Sequence, residues 1–202
     1  MHKKEYAITI TYKCNWNCVY CAVRNRHDFK ENLSYEDVLK KIDRIEDGSS
    51  VTIFGGEPGL VERKHLEEYI GMLEKKKCTL LLETNGTFLR KHPDLVPNFR
   101  SVTYHCSCEL DDEIYETDFT NITYMLIVHD GNIGRLDGYL EKYPNIKFYI
   151  VEATYPYPEM TGPTLSPRNK NHLLTHFGNR MTKEAIDRLI NGKDFDRIEF
   201  LT

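Results

Sequence analysis

Apolar stretches with a two-residue period recur along this 202-residue chain, each followed by a stretch with helical spacing, and that order restricts the fold more than any other feature. Tyr6 to Lys13 alternates Ile8 and Ile10 with Thr9 and Thr11, the pattern of a half-buried strand. Ser34 is placed to cap a helix running to Asp47, with Val38, Leu39, Ile42 and Ile45 on one face. A second strand through Val51 and Ile53 ends at Phe54, and a helix follows over Leu66 to Lys76. Thr79 to Glu83 reads as the third strand, with a short helix near Phe88 to His92. Val102 to Cys108, Ile122 to Val128 and Ile146 to Ala153 supply three more strands, and Ile133 to Lys142 a helix before the last. Six such units in sequence predict an α/β fold with a mostly parallel sheet and right-handed crossovers, arranged as an open (β/α)6 barrel.

The length suits a single core that buries about 70% of the surface the unfolded chain would expose. The net charge of -4 comes from well-mixed acidic and basic residues, so bulk charge advertises neither nucleic-acid nor membrane binding. There is no apolar run of transmembrane length, and the N-terminal MHKKEY lacks the apolar centre of a signal peptide. A soluble, cytoplasmic protein is expected, with no membrane partner. In that setting clustered cysteines point to metal or redox chemistry before structural disulfides.

Such a cluster stands directly after the first strand. Cys14, Cys18 and Cys21 lie in CNWNCVYC, a C-x3-C-x2-C triplet. Thiolates are soft ligands, and one short loop can wrap a face of an iron-sulfur cluster, leaving the fourth iron of a 4Fe-4S cube open to a ligand that is not protein. A zinc knuckle completed by His27 or by a distant cysteine is the alternative at this point. A second motif, SVTIFGGEP from Ser50 to Pro58, runs from a buried strand into Gly55, Gly56, Glu57 and Pro58. Paired glycines at a strand end allow close backbone approach to a ligand, and Glu57 adds an acceptor for a cation such as an ammonium group.

With these residues the chain resembles the radical S-adenosylmethionine (SAM) superfamily. The matching positions are Cys14, Cys18, Cys21, the aromatic Tyr20, the segment Gly55-Gly56-Glu57-Pro58, and Glu83-Thr84-Asn85-Gly86-Thr87 at the end of the third strand. The resemblance implies a partial TIM barrel in which the three cysteines hold a 4Fe-4S cluster and SAM chelates the open iron. It also implies that Gly55 to Pro58 meets the methionyl amino group, that Tyr20 lies near the adenine, and that Asn85 belongs to the SAM site. Residues 1–155 are expected to form the core domain, with a short C-terminal extension, 156–202, packing on it. The implied chemistry is reductive cleavage of SAM to a 5'-deoxyadenosyl radical that abstracts hydrogen from a substrate. It requires an electron donor such as flavodoxin or ferredoxin.

Chemistry in such barrels gathers at the C-terminal ends of the strands. On the fourth strand Val102, Tyr104, Cys106 and Cys108 share one face and Thr103, His105, Ser107 and Glu109 the other. If the apolar set packs on helices, the polar set points into the barrel. His105 is then a candidate catalytic residue, with a satisfied interior histidine as the alternative; the resemblance implies ribose- or carboxylate-binding polar residues at this strand's end, a role that falls to Ser107 or Glu109. Cys78, Cys106 and Cys108 read as packing residues, so a single cluster is expected. Between Glu159 and Glu184 no acidic residue occurs, while Arg168, Lys170 and Arg180 do. This basic segment, followed by a helix from Thr182 to Asn191 and a strand from Arg197 to Leu201, is expected to hold a phosphate, nucleotide or nucleic-acid backbone, or else to be a solvated surface. The substrate classes left open are a nucleotide or nucleic-acid base, a peptide and a partner protein. A non-catalytic metal-binding or interaction module on the same fold is the alternative function.

Overall fold

A computed structural model describes residues 4–21, 23, 32–108, 113–153 and 166–169, together with the backbone of 199–201. The strands are β1 (Glu5–Thr9), β2 (Ser50–Phe54), β3 (Thr79–Thr84), β4 (Ser101–Cys106), β5 (Ile122–Val128), β6 (Phe148–Glu152) and β7 (Glu199–Leu201). Among the described residues, the α-helices that frame the sheet are α1 (Tyr35–Asp43), α2 (Arg63–Lys75), α3 (Thr87–Lys91) and α4 (Leu136–Lys142). All pairings are parallel, in the order β6-β5-β4-β3-β2-β1-β7. The sheet is not closed, as the alternation of strand and helix predicts: the six expected strands form one run, and the last strand adds to the β1 edge.

The two faces of the sheet differ in a way that the alternation dictates. Ile8, Val51, Ile53, Leu80, Leu82, Val102, Tyr104 and Leu126 lie on the outer face and are almost fully buried. They pack against Val38 and Ile42 of α1, Leu66, Ile70 and Leu73 of α2, and Leu140 of α4. Each buried aliphatic side chain of this kind stabilises the fold by about 1.5–3 kcal/mol. On the inner face Thr52, Leu81, Glu83, Thr103, His105 and Met125 are only half-buried. Of the fourth-strand residues assigned to the apolar face, Val102, Tyr104 and Cys106 are buried on the helix side, and His105 stands on the inner side.

Element boundaries differ from the sequence expectation for local reasons. Helix α1 begins at the Ser34 cap, where the Ser34 hydroxyl accepts from Asp37 N–H and the Asp37 carboxylate accepts from Ser34 N–H. It stops at Asp43 and not at Asp47: Arg44 N–H donates to the Lys41 carbonyl and Ile45 N–H to the Ile42 carbonyl, three-residue turns that close the helix. The helix expected from Ile133 opens as a 3-10 turn, Ile133–Arg135, before α4. Cys108 lies beyond the end of β4 and is buried, its thiol directed at the Asn132 carbonyl. The helix expected over Thr182 to Asn191 lies outside the described residues.

Candidate functional site

The C-terminal ends of β1, β2 and β3 are tied into one edge by hydrogen bonds. Past β1 the chain continues alongside β2: Ile10 N–H donates to the Phe54 carbonyl (3.2 Å), Gly56 N–H to Thr11 (2.7 Å) and Glu57 N–H to Lys13 (2.7 Å). This close run explains the paired glycines. Gly55 has a φ of +139°, and a Cβ there would strike the Thr11 carbonyl and come within 2.9 Å of Thr9 Cγ2. A Cβ on Gly56 would collide with the Lys13 carbonyl. Both glycines are expected to let a ligand approach, and in the structure their bare α-carbons face the root of the cysteine loop.

Glu57 also departs from expectation. Its side chain is fully buried. Oε1 accepts from Gly59 N–H (2.8 Å), the Thr84 hydroxyl (2.8 Å) and Phe88 N–H (3.1 Å), while Oε2 accepts from Asn85 N–H (2.7 Å). Burial pushes the carboxyl pKa up and these four donors pull against the rise. Three donors crowd Oε1 and one holds Oε2, so both oxygens of this buried carboxylate are satisfied by the chain itself. It braces the β2 end against the β3 end and is not the open ammonium acceptor that the motif suggested. Pro58 is buried at the start of a 3-10 turn, Pro58–Leu60.

Beyond β3, Asn85 is buried and its carboxamide is committed to neighbours. Oδ1 accepts from Thr87 N–H (3.1 Å) and the Thr87 hydroxyl (2.7 Å); Nδ2 donates to Asn15 Oδ1 (2.9 Å) and lies 3.8 Å from Cys14 Sγ. Asn15 Nδ2 in turn donates to the Thr87 hydroxyl at 3.1 Å. Asn15 was not singled out in the sequence, although its place beside Cys14 was a signal.

Cys14 is exposed and Cys18 and Cys21 are half-exposed, and none of the three is in a disulfide. Trp16 N–H donates to Cys14 Sγ at 3.3 Å. Partial burial pushes the Cys14 thiol up, the charges of Glu57 and Cys21 add to that, and the Trp16 N–H opposes it. Among the described residues no three His, Cys, Asp or Glu side chains gather to hold a single ion. The thiolates of a 4Fe-4S cube bind three separate irons and need not converge on one point, so a soft three-thiol loop suits the cluster in donor chemistry.

The remaining positions spread around the same edge. Tyr20 packs edge-on against His129, just past β5, with ring centroids 6.0 Å apart. His129 Nδ1 accepts from Gly131 N–H at 3.1 Å, which places the ring proton on Nε2. Ser107 is buried at the end of β4, whereas Glu109 lies outside the described residues. On the inner face His105 Nε2 lies 3.3 Å from Glu83 Oε2. Burial tends to raise the Glu83 carboxyl, but the hydrogen bond and charge of His105 outweigh it and hold Glu83 below the usual carboxylate range. Arg168 is exposed beside Ile133, Gly134, Asp137 and Asn169, with Asn169 and Ser166 bound to Asp130; Lys170 and Arg180 lie outside the described residues. Among the described residues no helix is long and apolar enough to cross a membrane.

Comparison with known proteins agrees with this geometry. The GTP 3',8-cyclase of Helicobacter pylori (strain HPAG1) is 38% identical over 91 residues, 42% of this chain and 28% of that protein. The chain thus spans less than a third of that relative. Among solved structures, native anSMEcpe with bound AdoMet shares the fold at a TM-score of 0.58 and 17% identity, over 97% of this chain and 64% of that one. Streptococcus suis SuiB bound to S-adenosylmethionine matches at 0.50 and 14% identity, over 98% of this chain and 50% of that one. A family model described as the Radical SAM superfamily matches residues 8–124, more than half of the chain and the whole of the tied edge from the cysteine loop to Thr87. The chain therefore belongs to the radical SAM superfamily, whose enzymes use a 4Fe-4S cluster and SAM.

Proposed function

We propose that the protein cleaves SAM reductively and directs the resulting 5'-deoxyadenosyl radical at a hydrogen atom of a nucleotide or nucleobase substrate. The observation that carries this reading is the locked edge formed by the cysteine loop, Gly55 to Pro58 and Glu83 to Thr87, which sits beside a half-buried polar inner face. Cys14, Cys18 and Cys21 hold the cluster, which supplies the electron for SAM cleavage when bound. The backbone of Gly55 to Pro58 meets the methionyl end, Tyr20 meets the adenine, and Ser107 and Glu109 take the ribose or carboxylate. His105, oriented by Glu83, faces the substrate from the inner surface.

The nucleotide class is supported by the GTP 3',8-cyclase relatives and by the exposed Arg168, with Lys170 and Arg180 as further phosphate contacts. The electron donor is a low-potential carrier such as flavodoxin or ferredoxin, and the reducing cytoplasm suits an oxygen-sensitive cluster. Residues 1–155 act as the core and 156–202 as an extension packing on it, a packing supported by β7 returning to pair with β1.

The test is anaerobic reconstitution followed by reduction with dithionite in the presence of SAM, with 5'-deoxyadenosine measured by chromatography. Slow uncoupled cleavage alone, accelerated by a nucleoside triphosphate and not by peptides, is the expected result. No cleavage by a fully loaded cluster would overturn the enzymatic reading. Acceleration by peptides alone would overturn the nucleotide class.

A further inference from the structure

We infer that Asn85 is a positioning residue for the cluster, its carboxamide N–H setting the reduction potential through Cys14; the inference rests on Cys14 being a cluster ligand, as proposed above. The amide orientation is fixed by its neighbours. Thr87 N–H can only donate, so the Asn85 oxygen faces it at 3.1 Å, and the NH2 group must face Asn15 Oδ1 at 2.9 Å and Cys14 Sγ at 3.8 Å. Asn85 N–H is itself anchored on Glu57 Oε2 at 2.7 Å. The Asn85 side chain is buried, so the donor near the sulfur is held in place by the fold.

A donor held near a ligating thiolate favours the cluster state with more negative charge, which is the reduced one, and so raises the potential. The Trp16 N–H at 3.3 Å acts on the same sulfur. Backbone donors survive substitution, whereas the Asn85 carboxamide is a side-chain donor to this sulfur that substitution removes. One residue thereby joins the β2 end, the β3 end and the cysteine loop.

The experiment is a spectroelectrochemical titration of the reconstituted 4Fe-4S cluster, without SAM, in the parent protein and in Asn85→Ala and Asn85→Asp. Asn85→Ala should shift the reduction equilibrium about tenfold toward the oxidised cluster, a fall of about 59 mV for one electron. Asn85→Asp keeps the shape and the acceptor for Thr87 but puts a charge beside the sulfur, so its potential should fall further. A purely structural role would lower iron content and leave the potential of the loaded fraction at the parental value, which overturns the inference. If Asn85→Ala loads poorly, Asn85→Asp decides: a full cluster at the parental potential refutes the assignment. A parent protein that takes up no 4Fe-4S cluster would instead refute the underlying reading of Cys14.

Discussion

Replacing Glu57 by glutamine separates a bracing carboxylate from one kept open for a ligand. In the native chain the four donors Gly59 N–H, Thr84 hydroxyl, Phe88 N–H and Asn85 N–H converge on a side chain with no solvent exposure. Glutamine has one oxygen, which keeps the three donors on the Oε1 side. Its NH2 group then faces Asn85 N–H, donor against donor. A hydrogen bond to a charged acceptor contributes about 1.5–3 kcal/mol, and a stranded buried donor costs about 1–3 kcal/mol. Relief from burying a charge offsets part of this, which leaves a net loss of about 2–4 kcal/mol.

The assay is urea denaturation of the metal-free, reduced protein followed by circular dichroism. With a slope of about 2 kcal/mol per molar urea, the midpoint should fall by roughly 1–2 M. A carboxylate held open for a ligand behaves oppositely, because an unpaired buried charge destabilises the ligand-free fold and its removal would be neutral or stabilising. An unchanged or raised midpoint for Glu57→Gln would refute the bracing role.

Further expectations follow from the same contacts. Gly56→Val should impair cluster retention as well as SAM binding, since its side chain would displace Lys13 at the root of the cysteine loop; iron analysis after reconstitution checks this, and full iron uptake would contradict it. His105→Ala should raise the Glu83 titration midpoint, because the partner that holds the carboxyl down is removed while burial remains; carbon NMR of the carboxyl group reads the shift. His92 is held below its ordinary value of 6.5 by burial and by the charges of Arg63 and Lys91. The unfolded chain therefore binds that proton first, and this part of the stability is present above about pH 6.5 and lost as pH falls through the folded value. His92→Phe should flatten stability below that pH, as measured by thermal unfolding against pH, and an unaltered acid limb would contradict the assignment.

The sheet order and the positions of the motifs were legible because both rest on local pattern. Alternating residues such as Val51 and Ile53 mark a strand wherever it packs, and three cysteines in one loop need no tertiary information. The roles within the motifs were less legible. Gly55 and Gly56 are glycines because residues 11–13 pass against them, and that neighbour is fixed only when β1 and β2 pair. Glu57 was read as an acceptor for a ligand because its donors, Thr84, Asn85 and Phe88, lie about thirty residues away in sequence and meet it only through β2–β3 pairing. Asn85 was assigned to SAM on the strength of its motif, whereas its carboxamide reaches back to Asn15 and Cys14. His129 carries no motif and joins the edge through tertiary packing with Tyr20.

The proposed function requires that Cys14, Cys18 and Cys21 hold a 4Fe-4S cluster on which SAM is cleaved. It is tested most directly by iron, sulfide and 5'-deoxyadenosine analysis of the anaerobically reconstituted protein beside its three single Cys→Ala variants. The parent protein should be brown, carry iron and sulfide in equal amounts and form 5'-deoxyadenosine under reduction, and the three variants should not. A colourless parent loaded with zinc, or any one variant that keeps a full cluster and its activity, would contradict it.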